Sequence, residues 1–342
     1  MTATWRRLYC CFSHDAANGY FYIAVAPLRF TGARMAFQVS DIAVVGHFAI
    51  DTIRLPSRSS PFVVLGGSVT YVSFVTKRLD ATVSIISKVG GDFPEAYMWW
   101  LGEEGIDLSG VVKLKKGQTT RFDLKYSEDL SDRQLKLESK AAPITVSNLP
   151  RSLQAKAVHI APIAGEISYK VVERLKQHAE VLSLDPQGLL RRFDRAGNVT
   201  ARASFDKRLF SLINIYKSSL DEISALTGQS DLKLAIKAVH DFGVENVIVT
   251  LGAKGAVLSV MGTLYNIPAC NSRVLVDPTG AGDAFIGGFL TEYIRQKDSL
   301  WCACVGSAAA SLVVEGIGPT FFGEKEEIYQ RARSVYEKEI KP

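Results

Sequence analysis

Asp277–Leu290, DPTGAGDAFIGGFL, is the stretch that decides the fold. The residues before it, Val274–Val276, read as a short strand, and Pro278 fixes the chain after them. Ala284–Arg295 reads as a helix. Between strand and helix stand Gly280, Ala281 and Gly282, with almost no side chain among them. Bare N–H groups at a helix N-terminus, reinforced by the helix dipole, form an anion site, and a phosphate is the natural guest. Asp283 falls in the first turn, where a carboxylate is electrostatically at home. Beside a phosphate it can take a proton from an attacking hydroxyl. A structural alternative stays open here: the small residues allow tight packing and Asp283 caps the helix. A Walker A loop needs GxxxxGK[ST], which the chain lacks. A dinucleotide fingerprint needs a third glycine where Phe285 stands, and it belongs early in a chain rather than late.

Outward from this turn the pattern is alternating. Asp41–Val45 (DIAVV), Thr82–Lys88, AVHIAPI (157–163), AEVLSLD (179–185), LFSLINI (209–215) and NVIVTLG (246–252) read as strands. Helical stretches lie between them, at 68–79, 94–104, 169–178 and 231–242. Strands alternating with helices predict a doubly wound, mostly parallel α/β sheet, with ligands at the strand carboxyl ends. Residues 111–138 alternate polar and apolar positions between turn-rich breaks. They read as antiparallel strands with one wet face, part of a small β lid spanning about 53–64 and 111–138. The main domain is expected over 39–335. The first 38 residues read as an extension foreign to the rest, and Met35 is a candidate for the true start.

Composition narrows the classes. The chain has 342 residues, 47% hydrophobic and 22% charged, with a net charge of +5. Four arginines against one aspartate in the first forty residues supply +3 of that charge. The remainder is too balanced for a nucleic-acid surface, and no such partner is expected. No apolar run reaches the roughly 18 residues of a membrane span, so no membrane partner is expected either. The five cysteines (10, 11, 270, 302 and 304) are odd in number and irregularly spaced, which argues for a reducing, cytoplasmic setting. The histidines show no metal-binding spacing.

DPTGAGDAFIGGFL closely resembles the signature of the ribokinase, or PfkB-type, carbohydrate kinases. The resemblance runs over about residues 39–330. It includes GHFAID (46–51), LGGSVTYVSFVTKRL (65–79), VGGDF (89–93), VTLGAKG (249–255) and VGSAAASLVVEGIG (305–318). It implies a kinase that uses ATP with magnesium on a small-molecule sugar or polyol, with a ribokinase-like sheet and a β lid. Asp283 matches the catalytic base, and Gly280, Ala281 and Gly282 match the anion hole. Asp51, Gly66 and Gly67 match the acceptor site. Thr250, Gly252 and Gly255 match the nucleotide turn. Asp277 and Thr279 match a monovalent-cation loop, for potassium, in part of the family. Lid strands pair between subunits in some members, which implies a monomer or a homodimer through the lid.

Two departures stand out. Tyr71 replaces a customary Asn; it either packs on a ring substrate or fills core. The usual NxxE reads Ser219-Leu-Asp-Glu222, which keeps the carboxylate thought to organise magnesium through water. Lys217, just before it, is a candidate for meeting a phosphate. These features, with IAPIAGE (160–166) and SLDPQG (183–188), are similar to the myo-inositol kinase branch. A cyclitol needs several hydroxyl acceptors, and Asp51, Asp185 and Gln187 are candidates. Arg121 and Asp123 in the lid meet either the ring or solvent. A nucleoside kinase, with Tyr71 or Phe74 as base platform, is the enzymatic alternative. A catalytically silent sugar-binding sensor is the alternative of another class, and an oxidoreductase ranks behind both.

Overall fold

The computed structural model describes residues 12–15, 20–23, 39–201 and 206–340. Met35, Cys10 and Cys11 lie outside them. A short antiparallel hairpin, β1 (Phe12–Asp15) with β2 (Tyr20–Ile23), comes first. β3 (Ser40–Val45), β4 (Ala49–Arg54), β5 (Phe62–Gly66) and α1 (Ser68–Arg78) follow. Next are β6 (Val83–Gly90), α2 (Glu95–Glu103), β7 (Asp107–Leu114), β8 (Thr120–Tyr126) and β9 (Arg133–Ser139). The second half adds β10 (Ala155–Ile160), α3 (Tyr169–Leu175), β11 (Ala179–Leu184) and a hairpin of β12 (Arg191–Phe193) with β13 (Val199–Ala201). Then come β14 (Ile215–Ser219), α4 (Leu220–Thr227), α5 (Leu232–His240), β15 (Asn246–Thr250), β16 (Ala256–Val260) and β17 (Thr263–Ile267). The chain ends with α6 (Ala281–Tyr293), α7 (Ser299–Val313) and α8 (Lys325–Ile340).

Among the described residues, nine strands form one sheet in the order β17-β16-β15-β14-β11-β10-β3-β6-β7. The seven strands from β15 to β7 are parallel, and β16 and β17 return antiparallel at one edge. Side chains alternate between faces along each strand. In β3, Ile42 and Val44 join one buried cluster with α1, α6, α7 and α8, while Ala43 and Val45 join another with α3, α4 and α5. The doubly wound expectation is met.

The lid is a four-stranded sheet in the order β5-β4-β8-β9. Its two hairpin pairs are antiparallel, and β4 and β8 run parallel between them. Its inner face, with Ala49, Ile53, Phe122 and Leu124, packs on Ile163 and Ala164 of the main body. Val111–Leu114, expected in the lid, instead end β7 and pair parallel with β6 in the main sheet.

Three other expectations are corrected. LFSLINI is not a strand: Lys207–Leu212 form a 3-10 turn that buries Leu209 and Phe210, and β14 starts at Ile215. Val274–Val276 form no strand, since the sheet already ends at β17. Val274 and Leu275 are exposed, and Val276 N–H donates to the Val314 carbonyl. The helix expected from Ala284 starts at Ala281, so the small-residue turn is its first turn. No helix among the described residues is long and apolar enough to cross a membrane.

α6 buries most of its length, and Phe289 is fully buried there, stacked 5.7 Å from Tyr293. Phe289→Ala is expected to lower the unfolding free energy by about 3–5 kcal/mol, read as a lower urea midpoint at unchanged slope. A loss below about 1 kcal/mol would show that α6 is not part of the cooperative core.

Candidate active site

The site sits where α6 meets the carboxyl ends of β3, β11 and β14 under the lid. Gly280 caps α6 with φ +81°, a conformation that side chains resist, and a Cβ there would overlap the Tyr71 ring. No side chain caps the turn and Ala281 N–H donates to the Pro278 carbonyl at 3.3 Å, so the next two amides, of Gly282 and Asp283, are left for an anion. A Cβ on Gly282 would stand 2.7 Å from Lys217 Nζ, so the ammonium lies directly against this turn. Lys217 Nζ donates to Asp185 Oδ2 at 2.6 Å, and both side chains are buried. Burial alone would lower the Lys217 pKa, but the carboxylates of Asp185, Asp283 and Glu222 outweigh it and hold the ammonium above the ordinary lysine value.

Asp283 faces a small cavity of 60 Å³. Burial pushes its carboxyl up to about 6; the Lys217 charge opposes that rise and Asp185 adds to it. Gln187 Nε2 donates to Ser68 Oγ at 2.7 Å and lies 3.5 Å from Asp283 Oδ1. Arg191 Nη2 donates to Gln187 Oε1 at 2.8 Å, which fixes the amide. Across the cavity stands Asp51, also buried, with Oδ1 lacking any partner. Burial pushes this carboxyl up to about 7, with Arg133 opposing. Gly66 is required beside it, because a Cβ there would overlap the carboxylate. The lid closes the cavity with Phe122, Leu124, Leu135 and Arg133.

Glu166 braces this wall. It accepts the backbone N–H groups of His47 (3.0 Å), Ile163 (3.0 Å) and Ala164 (2.8 Å), joining the loops after β3 and β10. His47 Nδ1 lies 3.0 Å from Thr120 Oγ1, which ties that loop to the lid base.

Asp51, Gly67, Tyr71, Gln187, Thr279, Gly280 and Asp283 thus line one cavity, with Gly66 against Asp51, Ala281 and Gly282 in the first turn of α6, and Lys217 and Asp185 behind that turn. Arg121 is elsewhere: it pairs with Asp92 at 3.0 Å, while Asp123 pairs with Arg54 at 2.8 Å. Both lie on the face of β8 opposite Phe122 and Leu124. Phe74 is core, stacked 4.9 Å from Phe322, and so is no platform for a ligand. Tyr71 is buried too, yet it lines the cavity and its hydroxyl lacks a partner. Ser219 and Glu222 form a capping box on α4, with Ser219 N–H donating to Glu222 Oε2 at 2.8 Å. Thr250, Gly252 and Gly255 stand at the neighbouring end of β15, where Thr250 Oγ1 donates to the Ser218 carbonyl. Asp277 is held from within: Oδ1 accepts Thr279 N–H and O–H, and Oδ2 accepts Gly318 N–H.

Sequence reasoning missed Arg133, Arg191 and Ser68. Arg133 was within reach: in RQLKLES it shares its parity with Leu135 and Leu137, the lid's inward positions. Arg191 carried no local signal, because only the fold brings it back to Gln187.

A profile of the pfkB family of carbohydrate kinases matches residues 39–326. The cytidine kinase of Thermococcus kodakarensis is 30% identical over 286 residues, covering 81% of this chain and 97% of that one. The inositol 3-kinase of Arabidopsis thaliana is 27% identical over 286 residues, covering 82% and 76%. A pyrophosphate-dependent kinase in the ribokinase family, solved with a pyrophosphate analog and myo-inositol, superposes with a TM-score of 0.72. It is 23% identical and covers 84% of this chain and 99% of that one, a likeness of fold.

Two outcomes follow from the charges. Lys217→Met removes the cation that holds the Asp283 pKa down, so the acid limb of the rate profile is expected to move to higher pH; an unmoved limb would remove Lys217 from the site's electrostatics. Folded Asp51 keeps its proton up to about pH 7, whereas an unfolded Asp releases it near pH 4. That stabilisation is complete at low pH and is lost as pH rises through about 7. Asp51→Asn is therefore expected to leave urea stability unchanged near pH 4 and to raise it by on the order of 2 kcal/mol near pH 8. An equal effect at both pH values would contradict the buried, unpaired carboxylate.

Proposed function

This chain belongs to the pfkB family of carbohydrate kinases, and we propose that within it the protein transfers the γ-phosphoryl group of ATP to a hydroxyl of a cyclitol or sugar, with myo-inositol first. As a member of that family it is a phosphotransferase with an alcohol acceptor, a sugar or nucleoside kinase. The observation that carries the finer reading is a pair of carboxylates, the buried Asp51 and the half-buried Asp283, that line one 60 Å³ cavity. An ionised carboxylate only accepts hydrogen bonds, those of sugar and cyclitol hydroxyls among them, and Asp51 Oδ1 has no protein partner to lose.

In this reading Asp51, Gln187 and Arg191 orient the acceptor ring. Asp283 takes the proton of the reacting hydroxyl as its oxygen bonds to the γ-phosphorus and the bond to the bridging oxygen breaks. The first-turn amides of α6, with Lys217 behind them, stabilise charge on the moving group. The uncapped turn and the buried ammonium fit a polyphosphate tail, with Thr250, Gly252 and Gly255 placed for the rest of the nucleotide. Magnesium, when bound, supplies charge neutralisation on the phosphates; Glu222, half-buried with one oxygen engaged by Ser219, is the carboxylate placed to meet it through water. Three donors converge on Asp277, so Asp277 and Thr279 brace the loop; a monovalent cation bound at that loop would supply charge beside the turn.

A nucleoside kinase is the second reading. It draws support from Phe122, which lines the cavity on the lid side and lies 6.2 Å from Phe193, as a surface for a base. Both readings are tested by one panel: myo-inositol, ribose, fructose, cytidine and adenosine, each with magnesium ATP and with magnesium pyrophosphate. Phosphorylated myo-inositol is the expected product. Exclusive turnover of nucleosides would select the second reading, and binding without any product would leave a sensor. With the acceptor that reacts, Asp283→Asn is expected to bind normally and to lose at least about a hundredfold in kcat.

A further inference from the structure

Tyr126, at the end of lid strand β8, reaches into the loop that carries the anion hole. Its hydroxyl lies 2.7 Å from Thr279 Oγ1. Thr279 O–H donates to Asp277 Oδ1 at 2.6 Å. Arg133 Nη1 donates to the Tyr126 hydroxyl at 3.2 Å. A guanidinium only donates and a carboxylate only accepts, so every proton in the chain runs one way: Arg133 to Tyr126 to Thr279 to Asp277. Arg133 itself lines the acceptor cavity. The chain therefore starts at the cavity, passes through Thr279, the residue before Gly280, and ends at Asp277.

The other lid hairpin reaches the same carboxylate indirectly, through Gly318. Asp277 Oδ2 accepts Gly318 N–H at 2.9 Å. Gly318 lies under Val64 of β5, where a Cβ would stand 2.9 Å from Val64 Cγ2. Both lid hairpins thus rest on the Asp277 hub. Tyr126 and Thr279 are buried, at 7% and 5% exposure, so water does not compete for these bonds.

Resting on the kinase reading, we propose that Tyr126 is a positioning residue: a latch through which the lid, closed over an acceptor held by Arg133, fixes the Gly280–Gly282 turn in its anion-binding form. Tyr126 touches neither the reacting atoms nor the cavity. Its ring packs in the lid core, which phenylalanine would fill equally well; the hydroxyl alone makes the latch.

The test uses Tyr126→Phe in the full chain. Native-state hydrogen exchange at residues 279–283 is expected to be about threefold to tenfold faster than in wild type, with β15 and β16 unchanged. With magnesium ATP and either myo-inositol or cytidine, kcat is expected to fall about tenfold while the thermal midpoint holds. In a Thr279→Val background, Tyr126→Phe is expected to have no further effect, because the partner is already gone. Wild-type exchange in the loop, or additive losses in the double variant, would overturn the latch. A wild-type protein that turns over no acceptor would sink the kinase reading, while the exchange measurement would still decide the latch on its own.

Discussion

A buried ammonium pressed against a helix N-terminus is the constraint on which the site depends. Lys217 cannot stay charged there alone, since burial disfavours the ammonium. Asp185 and Asp283 hold it charged, and the three groups come from β14, the end of β11 and α6. Only a sheet that runs β11 and β14 parallel and side by side delivers Lys217 and Asp185 to the same end. The glycine at 282 follows from that ammonium, and the glycine at 280 follows from Tyr71. The GAG turn is thus shaped as much by what lies beneath it as by what binds above it.

The acceptor side obeys a different economy. A buried, unpaired polar atom costs about 1–3 kcal/mol, and native proteins keep few of them. Two of those recorded here, Asp51 Oδ1 and the Tyr71 hydroxyl, border one cavity. Their shared address separates them from His159, whose unpaired Nε2 does not border that cavity. Burial pushes His159 down to about 3, so it stays neutral and needs no counter-charge.

The strand–helix alternation and the GAGD turn were legible because each is a local pattern with a local cause. The strands of β3, β10, β11 and β15 came from β-branched runs, and the helix after Asp283 from its periodicity. What failed was non-local. VVKL alternates like a lid strand but pairs with β6, and no sequence pattern names its partner. Val274–Val276 has strand residues, but its backbone bonds the end of α7, at the Val314 carbonyl, rather than a sheet edge. Arg121 and Arg133 are both lid arginines; the parity of β8 turns one outward to Asp92, and that of β9 turns the other into the cavity. Ser219 and Glu222 keep their sequence-level importance and gain a second duty as the capping box of α4. Arg191 and Gln187 meet through a loop whose shape no spacing rule supplies.

The choice between a polyhydroxylated ring and a nucleoside rests on which wall of the cavity discriminates more. The lid wall of Phe122, Leu124 and Leu135 offers apolar contact, and such contact separates similar ligands by only about 1–3 kcal/mol. The opposite wall offers Asp51, Gln187, Arg191 and Asp283. A site built to receive hydroxyls rejects a ligand that lacks them far more strongly, because its buried acceptors are then left bare. A ribose presents its hydroxyls along one edge and a base along the other. A cyclitol presents hydroxyls all round, so it can satisfy Asp51 and Asp283 together with the Arg133 guanidinium on the lid. The carboxylates therefore weigh more than the aromatic wall.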